Sequence, residues 1–127
     1  MKTDQSAHIA ILGISDKPER FAYKAHQKLL NYGFANQTGI SPKKNLNLTD
    51  IELVTSLEEV EGDIHTLTLY VGPERQQSIV DNIINLGPKR IIFNPGTENP
   101  QLMDMAKAEG IEVVQKCTLI MLDADEF

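Results

Sequence analysis

The chain of 127 residues holds one cysteine, Cys117, and its longest apolar run covers only residues 9–14. A lone cysteine cannot close an internal disulfide, and spanning a bilayer takes roughly 20 consecutive apolar residues. No basic opening followed by a long apolar stretch marks a secretory signal, so the reading expects a reducing, cytoplasmic setting and no membrane association. Basic residues are also scarce, 12 Lys and Arg against 18 Asp and Glu, for a formal charge of −6. That balance argues against a nucleic-acid partner gripped by bulk phosphate neutralisation. No H-x-x-x-H, C-x-x-C or paired acidic ligand motif occurs, and the reading expects no metal site.

What is present suits one folded domain over residues 1–127. Hydrophobic residues make up 41% and charged residues 24%, enough for a single core. No repeat, low-complexity tract or Gly/Ser linker divides the chain. The charge, however, is divided. Residues 1–50 hold seven basic and four acidic residues, net +3, and residues 51–127 are net −9. Such asymmetry between halves hints that one half meets an anion.

The apolar pattern alternates strand with helix. His8-Ile-Ala-Ile-Leu-Gly-Ile14 reads as a strand covered on both faces. Pro18 suits the first turn of a helix, in which Phe21, Ala25, Leu29 and Tyr32 form one stripe and Gly33 the stop. Weaker strands are expected over 34–40 and 51–54, then a capping box at Ser56-Leu-Glu-Glu59. A clear strand spans 66–71. Pro73 opens a helix with Ile79, Val80, Ile83, Ile84 and Leu86 inward. A strand at 90–94 precedes a helix capped by Asn99-Pro100 and stopped by Gly110. Residues 111–114 and 118–122 are assigned to terminal strands. This succession predicts a single Rossmann-like three-layer α/β domain with a mainly parallel sheet of five or six strands.

In such sheets ligands bind beyond the carboxyl ends of the strands. Beyond the first strand, Gly13-x-Ser15-x-x-Pro18 takes the place of the dinucleotide fingerprint and keeps its first glycine only. Gly13 permits the turn, Ser15 adds a hydroxyl, and Lys17 and Arg20 can neutralise a diphosphate. The same residues also read as an ordinary helix start, with Asp16 and Glu19 in its first turn. Beyond the second strand no acid occurs between Phe34 and Leu48. NAD enzymes place a carboxylate there for the ribose 2′-hydroxyl, whereas Ser41, Lys43 and Lys44 suit a ribose bearing its own phosphate. NADP and coenzyme A both fit, and two solvated lysines remain the plain alternative. Lys89-Arg90 lies at the opposite end and reads as a solvated edge. His8 and His65 fall at that end too, and His26 reads as a satisfied mid-helix histidine. Cys117 reads as a structural thiol near the crevice, with no histidine placed to activate it.

Several segments carry a resemblance that extends over nearly the whole chain. They are Ile11-Leu-Gly-Ile-Ser-Asp-Lys-Pro-Glu-Arg-Phe-Ala-Tyr23, Thr68-Leu-Tyr-Val-Gly-Pro73, Arg90-Ile-Ile-Phe-Asn-Pro-Gly-Thr-Glu-Asn99, Ala108-Glu-Gly-Ile-Glu-Val-Val114 and Cys117-Thr-Leu119. In order and spacing the chain resembles small stand-alone CoA-binding proteins, related to the nucleotide-binding domain of succinyl-CoA synthetase alpha subunits. The resemblance implies coenzyme A, or an acyl-CoA, as ligand and no established catalytic activity. It would place the diphosphate at Gly13, Ile14, Ser15 and Lys17, with Arg20 and Tyr23 on the following helix. The ribose phosphate would lie near Ser41 and Lys43, and the pantetheine arm near Val71, Asn94 and Gly96. One departure stands out. The family's second strand is usually apolar and ends in Asn-Pro or Ser-Pro; here Ala35-Asn-Gln-Thr-Gly39 is polar, although Ser41-Pro42 is kept.

The leading expectation is therefore non-catalytic binding of a small-molecule nucleotide ligand, CoA or acyl-CoA. One rival is an NADP-dependent enzyme or an acyl-CoA-dependent one using Cys117. Another is a partner-binding module presenting Glu58, Glu59, Glu61 and Asp63 to a basic protein. Assembly into a homodimer is left open.

Overall fold

A computed structural model describes residues 3–127. β1 (Ile9–Leu12) contains no polar residue, and every side chain in it is buried. Ala10 and Leu12 join one apolar cluster and Ile9 and Ile11 another, so the strand is covered on both faces. β2 (Gln37–Ile40), β3 (Glu52–Val54), β4 (Thr66–Leu69), β5 (Arg90–Phe93) and β6 (Glu112–Val114) complete a sheet ordered β3-β2-β1-β4-β5-β6. All five pairings are parallel, giving the doubly wound order with its switch point between β1 and β4.

Helices cover both faces. α1 (Phe21–Asn31) and α5 (Thr118–Asp123) pack over Ile9, Ile11 and Ile92 through Ala22, Leu29, Met121 and Leu122. On the other face α2 (Pro73–Gln76), α3 (Val80–Leu86) and α4 (Pro100–Ala108) follow β4 and β5. There Val80, Ile83, Leu102, Met103 and Ala106 meet Leu67, Leu69, Ile91 and Phe93. Asn99 caps α4 as expected, its Oδ1 accepting from the Leu102 amide at 3.2 Å.

Several local expectations are corrected. Residues 118–122 are helical: Met121 and Leu122 are buried while Ile120 is 66% exposed, a one-sided pattern with a helical period. The buried stripe of α1 is Ala22, Ala25, His26 and Leu29, which lets the helix lie close to the sheet. Phe21 and Tyr32 consequently stay 65% and 41% exposed. Pro18 sits in a turn before α1, closed by the Arg20 amide on the Lys17 carbonyl at 3.0 Å, and Arg20 caps the helix. Ser56 makes no side-chain cap for the 3₁₀ turn Leu57–Glu59; Glu59 instead reaches back to the Thr55 amide at 2.9 Å. The helix opened by Pro73 is interrupted by a 3₁₀ segment, Gln77–Ile79. Arg90 is buried rather than solvated. Its Nε donates to Thr66 Oγ1 at 3.0 Å and Nη2 to Thr3 Oγ1 at 3.2 Å, and its guanidinium lies 4.6 Å from the centre of the Phe127 ring.

Candidate functional site: a cationic cavity at the carboxyl end of the sheet

Beyond the ends of β1, β2, β4 and β5 lies a cavity of about 580 Å³. Its position follows from the topology, because loops after β1 and β4 leave toward opposite faces and open a crevice between them. Nine of the eleven residues expected at a site line it: Gly13, Ile14, Ser15, Lys17, Arg20, Ser41, Lys43, Val71 and Gly96. Tyr23 and Asn94 do not. Asn94 is 2% exposed, and its side chain is fully engaged within the protein. Nδ2 donates to Thr68 Oγ1 at 2.7 Å and to the Leu69 carbonyl at 2.8 Å, while Oδ1 accepts from the Thr118 amide at 2.8 Å. Asn94 thus fastens α5 to the sheet below the cavity floor.

Gly13 is required by space and conformation together. Its φ is +94°, and a Cβ there would stand 3.0 Å from both the Tyr70 carbonyl oxygen and Val71 Cγ1. The first loop can therefore lie directly on the start of the β4 loop. Gly39 acts through space alone: a Cβ there would come within 2.9 Å of Ile14, so the polar second strand leaves room to seat that side chain. The Gly13 and Ile14 amides both donate to the Ile40 carbonyl, at 2.9 and 3.2 Å, and are not available to a ligand.

The loops after β1 and β2 repeat one device. Ser15 Oγ accepts from the Lys17 amide at 3.1 Å, and Ser41 Oγ accepts from the Lys43 amide at 3.2 Å. Each serine closes a Ser-x-Lys turn that sets a lysine at the cavity rim. The repeat stands openly in the sequence at 15–17 and 41–43 and is the signal that links the two loops. Asp16 Oδ2 accepts from the Asn47 amide at 3.0 Å, tying the first loop to the segment after Lys43.

Four cationic side chains, Lys17, Arg20, Lys43 and Arg75, line the cavity against two acids, Asp16 and Glu58. Both acids are held by neighbours, Asp16 by the Asn47 amide and Glu58 by the Asn82 side-chain amide. Among the described residues none of the four cations forms an ion pair. Of the other basic residues of the first half, Lys28 pairs with Asp123 at 2.6 Å and Lys24 lies 5.4 Å from the Phe21 ring centre. Lys44, expected beside Lys43 at the ribose phosphate, is exposed and does not line the cavity, and Lys2 falls outside the described residues. Arg75 and Phe21 were missed by sequence reasoning. Position was the usable signal for Arg75, which stands in the first turn after β4 as Arg20 stands just before α1.

Tyr70 forms part of the wall, and its hydroxyl is buried without a hydrogen-bond partner among the described residues. Burial pushes its phenol up to about 12, outweighing the neighbouring Thr118 and Thr68 hydroxyls, so it remains a neutral donor. No histidine lines the cavity. His26 is fully buried, with Nδ1 2.7 Å from Gln37 Oε1 and Nε2 3.1 Å from the Thr49 carbonyl oxygen. His8 and His65 sit before β1 and β4, paired with Thr38 and Thr66. Cys117 is half-buried at the cap of α5, off the cavity wall. Among the described residues no group of three His, Cys, Asp or Glu side chains is gathered for a metal, and no helix is long and apolar enough to cross a membrane.

Comparison with known proteins agrees with this architecture. A solved structure of an uncharacterised protein superposes with a TM-score of 0.87 at 38% identity, covering 96% of this chain and 98% of that one. The uncharacterised protein YneT of Bacillus subtilis (strain 168) is 22% identical over 110 residues, 87% of this chain and 80% of its own length. A likeness of fold extends to a dinucleotide forming acetyl-coenzyme A synthetase of Ca. Korarchaeum cryptofilum, solved with phosphate and ADP. Its TM-score is 0.70 at 20% identity, and the match covers 87% of this chain but 25% of that one. Residues 7–123 match the CoA binding domain family. With the Rossmann-like sheet and its carboxyl-end cavity, that match over most of its length makes this chain a member of the CoA binding domain family.

Proposed function

We propose that the protein binds coenzyme A, free or acylated, in the cavity at the carboxyl end of the sheet, as a cytoplasmic binding protein without a reaction of its own. The observation that supports this most directly is the cluster of four cations, without an ion pair among the described residues, on a cavity whose acids are already engaged. Coenzyme A carries a diphosphate and a separate ribose phosphate, and two Ser-x-Lys turns offer two separate cationic positions. Lys17 and Arg20, with the amides of Ser15 and Asp16, serve the diphosphate, and Ser41 with Lys43 the ribose phosphate. The apolar side of the wall, from Tyr70 and Val71 to Gly96, suits the pantetheine arm. Tyr23 and Asn94 have no direct part. The ligand is a small nucleotide, not a nucleic acid or a membrane surface, and one protomer contains every residue named.

The non-catalytic reading draws on the placement of all three histidines away from the cavity and on the position of Cys117 off its wall. Calorimetric titration with CoA, dephospho-CoA and NADP tests the proposal. CoA is expected to bind more tightly than dephospho-CoA. Equal affinities would remove the role given to Lys43, and no CoA binding at millimolar concentration would overturn the reading itself. Turnover of an acyl-CoA that Cys117→Ser abolishes would replace it with the enzyme.

A further inference from the structure

The backbone ladder between β4 and β5 ends at the pair Leu69 and Phe93. Past that rung the chains separate into the loops that hold Val71 and Thr97 on the cavity wall. Their separation is nevertheless fixed, and by a side chain that does not itself line the cavity. Gln76 is completely buried. Its Nε2 donates to the Val71 carbonyl at 2.9 Å and to the Thr97 carbonyl at 2.9 Å, one on each loop. Its Oε1 accepts from Asn99 Nδ2 at 2.9 Å, and Asn99 is held in turn as the cap of α4. The orientation is unambiguous, since the reversed amide would set its oxygen against two carbonyls. Thr97 is itself locked, its amide and hydroxyl both bonding the Asn94 carbonyl at 3.0 and 2.7 Å. Gln76 also ends the short helix α2, where the 3₁₀ segment Gln77–Ile79 begins.

Resting on the reading that the ligand is CoA with its pantetheine arm along this wall, we propose that Gln76 is a positioning residue for that arm. Its amide replaces the next rung of the sheet and holds the β4 and β5 loops at one fixed gap. The nucleotide half of the ligand, on the β1 and β2 loops, does not depend on it. An amide is needed: a donor group must face two carbonyls while an acceptor faces Asn99.

Two variants test this. Gln76→Met keeps the volume and removes all three bonds. It is expected to weaken CoA tenfold or more while leaving adenosine 3′,5′-bisphosphate within twofold, by calorimetry. Gln76→Glu sets a carboxylate against the two carbonyls, and protonation restores one donor. Its CoA affinity relative to the unaltered protein is therefore expected to rise between pH 8 and pH 5.5. Equal losses for both ligands in Gln76→Met, or no loss for either, would overturn the proposal. Should Gln76→Met not fold, the pH dependence of Gln76→Glu decides, and a flat ratio overturns it. Should the unaltered protein bind no CoA, that reading fails separately, and hydrogen exchange of the ligand-free proteins decides. Faster exchange of the Arg75 and Thr97 amides together, the first bonded to Gly72 at the start of α2 and the second on the β5 loop, supports the clamp; unchanged exchange removes it.

Discussion

At the amino-terminal end of the sheet Arg90 is 6% exposed and bonded to two threonine hydroxyls and an aromatic face. At the carboxyl end Lys17, Arg20, Lys43 and Arg75 are exposed and paired with nothing among the described residues. The same residue class does opposite work at the two ends. Polar groups at the first end are internally satisfied: His8 meets Thr38, His65 meets Thr66, and the Thr3 amide bonds the Phe127 carbonyl at 3.0 Å. That end closes the fold. At the other end, loops diverge from parallel strands, and serines and buried amides hold them apart. A cation there keeps its charge available to something outside the chain, and what separates binding from architecture is the end of the sheet, not the residue type.

Breaking the carboxyl end most severely requires only a methyl group. Gly13→Ala introduces a Cβ at φ +94° and 3.0 Å from the Tyr70 carbonyl oxygen. Strain of that kind costs roughly 1–3 kcal/mol, and the displaced loop carries the cavity's first cationic turn with it. Loss of CoA binding together with a lowered urea midpoint is expected, and unchanged values for both would refute the close approach. Arg90→Leu is the counterpart at the other end. Removing a buried charged donor from two hydroxyls should cost roughly 1–3 kcal/mol of stability. CoA affinity should stay within twofold in calorimetry, since Arg90 is at the far end of every strand from the cavity. A tenfold loss of affinity would show that the two ends are coupled.

The same contrast explains which parts of the molecule were legible in the sequence. β1, β4 and β5 are short runs between loop signals, rich in β-branched and large apolar residues and buried at every position; β1 has no polar residue, and the threonines of β4 are themselves strand formers. The carboxyl-end loops were legible because topology places them and Gly13, Ser15 and Ser41 have local chemistry. Tertiary satisfaction was not legible. Arg90 read as solvated because nothing local announces Thr3 and Phe127, which are distant in sequence. Asn94 stood in the right loop, but its bonds to Thr68, Leu69 and Thr118 depend on packing. Residues 118–122 read as a strand because the apolar run that follows Thr118, four residues long, has no decisive period; only α1 and the sheet beneath it decide in favour of a helix.

Lys43→Ala separates the two loops of the cationic end from each other. An exposed lysine facing a phosphate contributes about tenfold in affinity, ~1.4 kcal/mol, and salt screens it. The expected outcome is a tenfold loss for CoA at low salt, little change for dephospho-CoA, and no shift of the urea midpoint. Equal losses for the two ligands would move the ribose phosphate away from the second Ser-x-Lys turn.

The smallest expected effect concerns pH and belongs to the closed end alone. Burial holds the His65 imidazole below its ordinary value of 6.5, and the nearby Arg90 and Lys89 charges depress it further, with Glu112 opposing. A lowered histidine binds its proton more readily in the unfolded chain than in the folded one. Its contribution to stability is therefore complete above pH 6.5 and is progressively lost as pH falls from there toward the folded value. Urea midpoints should fall slightly between pH 7 and pH 5, and His65→Asn should flatten part of that slope. Arg90→Leu should move His65 only part of the way back toward 6.5 in an NMR titration, because burial, the larger cause, remains. Full recovery would make the Arg90 charge the dominant cause and tie the acid sensitivity of the closed end to that one residue.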